Sequence, residues 1–396
     1  MLSGKKIIVG VTGSIAAYKA ALLVRLLVKD GAEVQVVMTE AAKRFVTELT
    51  FSNLSQKPVF SGLWDGTWSE HVHLGLWGDI MLVAPASANT LAKMANGTCD
   101  NALTAVYLSA KCPVMVAPAM DADMYVHPST TRNLAQLTQD GVDVLPSDTG
   151  FLASGLHGPG RMAEPEAILA RVQAHFAAQG PLAGKKVLIS AGPTREHLDP
   201  VRFISNGSTG TMGYALARAA ADLGATTTVV SGPVTQPGPH PFDVVDVTST
   251  ADMYAAMTER APPHDIIIMS AAVGDYTPSD FSDQKIKKGD GDLVVSFKRT
   301  QDILKAMGSA KKSGQILVGF ALETNNEEAN ARGKLQKKNL DYIVLNSLRD
   351  KGAGFGRSTN KISLIDQSGH IERYPLKSKA EVARDILGRL VKDLGI

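Results

Sequence analysis

The sequence predicts an α/β protein with two doubly wound, Rossmann-like or flavodoxin-like domains in series, the second carrying an added C-terminal hairpin. Three observations lead there. Short apolar runs recur between helix-like segments. An apolar run empties into a Gly-rich loop and an Ala/Leu-rich stretch twice, from Lys6 and again from Lys186. Between the two series lies 177–184, short and rich in small residues. Apolar runs without polar alternation suit strands buried on both faces of a parallel sheet, and intervening helices make that sheet doubly wound.

In the first half, strands are expected over 7–11, 34–39, 80–84, 114–117 and 144–146, with a helix over 16–29. The second half repeats the pattern at 187–190, 227–231, 244–247, 266–271, 316–320 and 342–345. It then changes: 361–366 and 370–376 flank Gln367-Ser368-Gly369, the signature of a hairpin, and 379–394 places Val382, Ile386, Leu390 and Val391 near one helical face. The small-residue stretch divides the chain into domains 1–180 and 184–396. The two strand-to-helix loops share no motif, so the repeat is one of architecture and not a duplication.

Composition excludes several classes. At 396 residues the chain exceeds a typical single domain, and its 44% hydrophobic and 20% charged residues are those of a globular protein. A formal net charge of +2, without a basic arm, argues against a nucleic-acid partner. Cys99 and Cys112 are too few for a disulfide framework, no apolar run reaches the length of a membrane span, and no signal peptide is visible, so a cytoplasmic location is expected.

Gly13 and Ser14, in Gly10-Val-Thr-Gly-Ser-Ile-Ala-Ala-Tyr-Lys19, stand where a parallel strand meets a helix N-terminus, a natural anion site. The loop matches neither a dinucleotide fingerprint nor a phosphate loop, so alone it is equally a tight turn. Ser87, Asn89 and Thr90 follow the 80–84 strand; a helix cap needs only one of them, and the excess points to a polar ligand. His71 and His73 precede that strand without a cysteine or acidic cluster nearby to complete a metal set, leaving a single catalytic histidine or an ordinary loop histidine.

The order of Thr12-Gly-Ser-Ile-Ala-Ala-Tyr-Lys19, His71, Pro85-Ala-Ser-Ala-Asn-Thr90, Pro118-Ala-Met-Asp-Ala-Asp-Met-Tyr125 and Ala153-Ser-Gly-Leu-His-Gly-Pro-Gly-Arg-Met162 resembles the flavin-dependent cysteine decarboxylases over about residues 5–175. It resembles above all the decarboxylase half of the bifunctional phosphopantothenoylcysteine decarboxylase/phosphopantothenate–cysteine ligases of coenzyme A synthesis. The resemblance implies FMN bound by Gly13, Ser14, Ile15, Thr39, Ser87, Asn89, Thr90 and Met124, with His71 as the catalytic histidine. It implies oxidation of the substrate thiol to a thioaldehyde, loss of carbon dioxide, and return of the electrons to the enethiol. Two positions depart from the pattern. Asp121 replaces the usual asparagine, and an ionised carboxylate there repels a substrate carboxylate unless a cation compensates or the side chain is held neutral. Ser154 replaces the usual cysteine that protonates the final reduction, and a hydroxyl is the weaker acid. Either the full cycle survives these changes, or the chain is a ligase with a flavin-binding but impaired first half.

In the second half, Gly207, Gly210 and Gly213 precede a helix, while the next strand ends without the acid a NAD site needs, so dinucleotide redox chemistry is not expected. Lys285, Lys287 and Lys288 read as a solvated turn or as a mobile arm closing on a triphosphate. Lys334 and Lys338 share a helical face. Over about residues 184–395 these segments, with Ala191-Gly-Pro-Thr-Arg195 and Gly319-Phe-Ala-Leu-Glu-Thr324, resemble the phosphopantothenate–cysteine ligase domain. The resemblance implies that CTP and Mg²⁺ activate the 4′-phosphopantothenate carboxylate as an acyl-cytidylate, which cysteine's amine then attacks. Asn206 would contact the intermediate and Lys285 the triphosphate. Ala271, Asp275, Asp302, Ile303, Phe320, Lys334 and Lys338 would line the nucleotide site. Metal ligands are not assigned. The implied assembly is a homo-oligomer, trimeric through the flavin domain and dimeric through the ligase domain. A non-catalytic flavoprotein that docks onto a partner is a third reading, opposed by Lys285 and Asn206.

Overall fold

The computed structural model describes residues 2–63, 69–236, 238, 240–288, 292–323, 325–347 and 356–395. Thr324, at the end of one ligase motif, lies outside them. The chain forms two compact units, Met1–His175 and Phe176–Ile396.

The first unit runs β1 (Lys6–Val11), α1 (Ala17–Lys29), β2 (Glu33–Met38), α2 (Glu48–Ser55), α3 (Glu70–Trp77), β3 (Ile80–Ala86), α4 (Ala88–Ala95), α5 (Ala102–Ser109), β4 (Val114–Pro118), α6 (Ala122–Val126), α7 (Pro128–Gln139) and β5 (Asp143–Val144). A hairpin of β6 (Asp148–Phe151) and β7 (His157–Arg161) and the helix α8 (Pro165–Ala178) close it. The five-stranded sheet has the order β2-β1-β3-β4-β5 and is parallel throughout. Every residue of β3 is buried, as the unbroken apolar run demands. The predicted strand at 144–146 is shorter, because Pro146 has no N–H for the ladder.

The second unit contains β8 (Lys186–Ala191), a small hairpin of β9 (Arg195–His197) and β10 (Phe203–Ser205), then α9 (Thr211–Asp222), β11 (Thr226–Ser231), β12 (Asp243–Asp246), α10 (Thr250–Arg260) and β13 (Ile266–Met269). A second small pair, β14 (Tyr276–Pro278) and β15 (Phe297–Arg299), precedes α11 (Ile303–Ala310), β16 (Ile316–Glu323), α12 (Glu327–Lys337) and β17 (Tyr342–Ser347). The unit ends with β18 (Thr359–Asp366), β19 (Ile371–Ser378) and α13 (Lys379–Leu394). Its sheet has the order β12-β11-β8-β13-β16-β17-β18-β19. The first six strands are parallel and the predicted hairpin extends the edge antiparallel. One face is covered by α9 and α13, whose Leu216, Ala220, Val382, Ile386 and Leu390 are buried together. The predicted strand at 266–271 ends at Met269, beyond which the chain turns to build a pocket.

Gly13, in the first strand-to-helix loop, and Gly213, in the first turn of α9, both allow a close approach of backbone. A Cβ on Gly13 would meet Ala41 Cβ at 2.6 Å, and one on Gly213 would meet Ala191 Cβ at 2.5 Å, well inside contact distance.

Candidate active sites

In the first unit, the strand order reverses direction of growth between β1 and β3, and their carboxyl ends open into a cavity of about 920 Å³. That is the size of a cofactor site at a topological switch point. Thr12 holds the two strand ends together: its buried hydroxyl donates to Pro85 O at 2.8 Å and accepts from Ser87 N at 3.0 Å. Ser87 caps α4, accepting from Thr90 N at 3.4 Å, while Asn89 is exposed in the first turn of that helix. Gly13, Ser14, Ile15, Thr39, Ser87, Asn89, Thr90 and Met124 all line this one cavity. Its hydroxyls, and the free N–H groups at the start of α4, suit the phosphate and polar edge of a flavin, and Met120 and Met162 supply apolar wall.

Asp121 and Ser154 line the same cavity. Asp121 is the N-cap of α6, its Oδ1 accepting from Ala122 N at 2.7 Å, a task asparagine and aspartate perform about equally. Ser154 is exposed at the turn joining β6 to β7, where Leu152 N donates to Leu156 O at 2.8 Å. No strand is expected here from the sequence, because the hairpin's strands are short and rich in glycine. Arg161 lines the cavity too, and Lys19 bridges from α1 to Met162 O at 3.0 Å and Glu164 at 2.8 Å. The hydrogen bond from Lys19, followed by its charge and that of Arg161, outweighs burial and holds the Glu164 carboxyl below its ordinary range. His71 stands half-buried on the first turn of α3, outside the residues that line the cavity in a single chain.

In the second unit, Ala271 and Phe320 join the loop 208–213 around a pocket of about 140 Å³, to which Asn346, Asn360 and Lys379 also contribute. Asn206 ties that loop to the turn after β13, donating to Ala272 O at 3.0 Å and Val273 O at 3.1 Å. The other expected nucleotide residues are not in this pocket. Lys334 pairs with Glu323 at 2.6 Å, and Lys338 with Asp302 at 3.0 Å. Burial would raise the Asp302 carboxyl, but the N–H of Lys305 and the ammonium of Lys338 outweigh it and hold the carboxyl low. Asp275 is exposed, and Ile303 is buried in the core, so only its backbone can face a ligand.

Lys285 is exposed, but its neighbour is not free. Asp199, fully buried, accepts from Val201 N, Arg202 N and, through Oδ2 at 3.1 Å, Ile286 N; Arg202 Nη2 donates to Ile286 O at 2.9 Å. Burial pushes the Asp199 carboxyl up, and the three backbone N–H groups with Arg202 pull it net below the ordinary range. Both peptide groups of the residue after Lys285 are thus anchored. Sequence reading passed over Asp199; the Asp-Pro step of Leu198-Asp-Pro-Val-Arg202 is the side-chain-to-backbone turn signal that marks it. Among the described residues, no group of three His, Cys, Asp or Glu could hold a metal, and no helix is long and apolar enough to cross a membrane.

Comparison with known proteins covers both units. The "Flavoprotein" family model matches residues 1–177, and the model "DNA/pantothenate metabolism flavoprotein C-terminal domain" matches 182–394. A Bacillus subtilis protein described as coenzyme A biosynthesis bifunctional protein CoaBC is 46% identical over 98% of this chain and 97% of its own length. A cysteine/cysteine sulfinic acid decarboxylase of an unknown prokaryotic organism is 51% identical over 87% of this chain and 99% of its own length. A crystal structure of the C-terminal domain of a CoaBC protein is 39% identical, covering 55% of this chain and 98% of that one, with a TM-score of 0.47.

Proposed function

The chain belongs to the family of bifunctional CoaBC proteins of coenzyme A biosynthesis, and from that premise we propose which half does what and with which residues. It is an enzyme with ligase and decarboxylase activities. Residues 184–396 join 4′-phosphopantothenate to cysteine through an acyl-cytidylate drawn from CTP. Residues 1–180 convert the resulting 4′-phosphopantothenoylcysteine to 4′-phosphopantetheine.

The observation that carries the first-half reading is the convergence of ten expected residues, Asp121 and Ser154 included, on one cofactor-sized cavity. FMN, when bound there, supplies two-electron chemistry at the substrate thiol. Gly13, Ser14 and Ser87 would hold its phosphate, and Thr39, Asn89 and Thr90 would make further contacts. Ser154, on the hairpin turn beside the same cavity, is placed to give a proton to the enethiol carbon. Arg161 offsets Asp121 for a carboxylate-bearing substrate. His71 serves as the catalytic histidine, reaching the cavity from a second copy; the exposed Ile15, Tyr18 and Leu22 around α1 are apolar surface that a trimer would cover.

In the second half, Asn206 positions the intermediate, Lys285 closes on the triphosphate, and Asp275, Asp302, Lys334 and Lys338 complete the nucleotide site around Phe320 and Ala271. Mg²⁺ arrives bound to the nucleotide's phosphates. The enzyme acts on small molecules in the cytoplasm, with a dimer through the ligase domain.

The experiment gives purified protein carrying FMN three candidate substrates separately: 4′-phosphopantothenoylcysteine, cysteine and cysteine sulfinic acid. Mass spectrometry should find 4′-phosphopantetheine from the first. Turnover of cysteine or its sulfinic acid alone would move the first half to the activity named for the 51% identical relative. Oxidised enethiol without phosphopantetheine would place the fault at Ser154.

A further inference from the structure

Lys379 contradicts the local rules of its own position. It opens α13, the end of a helix where the backbone dipole disfavours a cation, and only 7% of its surface is exposed. Its backbone N–H bonds Ser358 O, but among the described residues its ammonium makes no hydrogen bond or ion pair. The acids nearest along its helix are committed elsewhere: Glu381 closes the capping box with Ser378, and Asp385 pairs with Lys377 at 2.7 Å. Burial alone acts on the amine and pulls it below the ordinary lysine range. A buried charge with neither partner nor water is too costly to keep, so the ammonium must be solvated from the one opening it lines, the small pocket of the second unit.

Across that pocket stands the start of α9, where the N–H groups following Gly210 have no intrahelical acceptor. Gly210 has φ +74°, a conformation that favours glycine and leaves the loop backbone uncovered. Ser208, Thr209 and Thr211 add hydroxyls to the same wall. A helix N-terminus and an unpaired ammonium facing one cavity of about 140 Å³ make a receptor for a single anionic group, with no room for a whole nucleotide.

We propose that Lys379 is a phosphate-binding residue of the ligase half, holding one phosphate group between its ammonium and the N-terminus of α9. The proposal rests on the ligase reading above and adds a residue to it. The phosphate belongs either to CTP or to 4′-phosphopantothenate. No bond is made or broken at Lys379; it positions a group whose reacting end lies toward Asn206 and Lys285. An unpaired buried ammonium costs the fold stability, so a lysine kept there for binding trades stability for affinity.

The test uses the full-length enzyme with Lys379→Met and Lys379→Arg. CMP release by the unchanged enzyme is measured first; its absence would sink the ligase reading itself and so be told apart from failure of this inference. The variant Lys379→Met should keep or raise the melting temperature of the ligand-free protein and raise one KM about tenfold or more, with Lys379→Arg recovering part of it. A raised KM for CTP assigns the phosphate to the nucleotide, and a raised KM for 4′-phosphopantothenate assigns it to the other substrate. Inorganic triphosphate and 4′-phosphopantothenate are also added singly to the unchanged protein and to Lys379→Met. At least one should stabilise the former against heat, and that gain should vanish in the variant. Unaltered KM values with the thermal gain retained would overturn the proposal. So would a variant whose sole defect is a lowered melting temperature, or an unchanged enzyme that neither probe stabilises.

Discussion

The two pockets differ in how finished they are. In the first unit, a large cavity already gathers its expected binding residues, and most of its lining side chains are uncharged. In the second unit, only Ala271 and Phe320 of the expected nucleotide residues line the small pocket, while Lys334 and Lys338 rest on Glu323 and Asp302. The difference matches the ligands. A resident cofactor is best served by a preformed cavity, whereas a co-substrate that leaves on every turnover needs cations that can change partners. Lys338 rests on the exposed Asp302, and a surface pair of that kind is worth only about 1 kcal/mol or less, so it is cheap to open; Glu323 beneath Lys334 is more deeply set.

The sharpest way to break this comparison is at Lys285. Replacing it with glutamine should cut CMP formation by about a hundredfold or more, in line with removal of a charge-stabilising group, and leave phosphopantetheine production from phosphopantothenoylcysteine intact. Equal losses in the two assays would mean that the halves are not chemically separate.

Next in size are the glycines at the two strand-to-helix junctions. The variant Gly213→Ala drives a Cβ into Ala191, and Gly13→Ala drives one into Ala41; overpacking of this kind costs about 1–3 kcal/mol. In calorimetry each variant should lower the transition of its own unit, with FMN absorbance following the Gly13 variant and nucleotide protection the Gly213 variant.

The anchor beneath Lys285 gives a pH signature. Because the folded-state carboxyl of Asp199 lies below its ordinary value, the stability it adds is present above about pH 4 and is lost as pH falls through the lower, folded value. Thermal unfolding of Asp199→Asn should therefore trail the unchanged protein at neutral pH and converge with it in acid. A constant gap across the range would show that the three backbone hydrogen bonds, and not the charge, carry the effect.

The smallest expected change is at Asp121. Since asparagine caps a helix as well as aspartate does, Asp121→Asn should shift stability by less than about 0.5 kcal/mol while lowering KM for a carboxylate-bearing substrate. Measured KM values that do not move would place Asp121 away from the substrate carboxylate.

Much of the fold could be read from the chain because it depends on buried parallel strands. Every residue of β3 is buried, and the amphipathic pattern at 379–394 coincides with α13. The hairpin of β6 and β7 escaped because its strands are short, with Gly150, Gly158 and Gly160 in place of an alternating apolar face. The residues expected from motif order to hold a flavin line one cavity, because they sit in the loops and helix starts that follow strands. Motif order could not reveal that Ile303 points into the core, since a binding motif and a helix start look alike in sequence. Nor could it expose Lys379, whose oddity lies in three-dimensional burial. The one-dimensional trace is a lysine in a first turn, where an acid is the rule.

The central claim is that one chain holds two sites in sequence, the product of the second half being the substrate of the first. The most direct measurement supplies the FMN-loaded protein with 4′-phosphopantothenate, cysteine, CTP and Mg²⁺ together and follows all products by mass spectrometry. Equal amounts of CMP and 4′-phosphopantetheine at completion are the predicted result. CMP accompanied by undiminished 4′-phosphopantothenoylcysteine would contradict it, leaving a ligase joined to a flavin-binding unit of some other purpose.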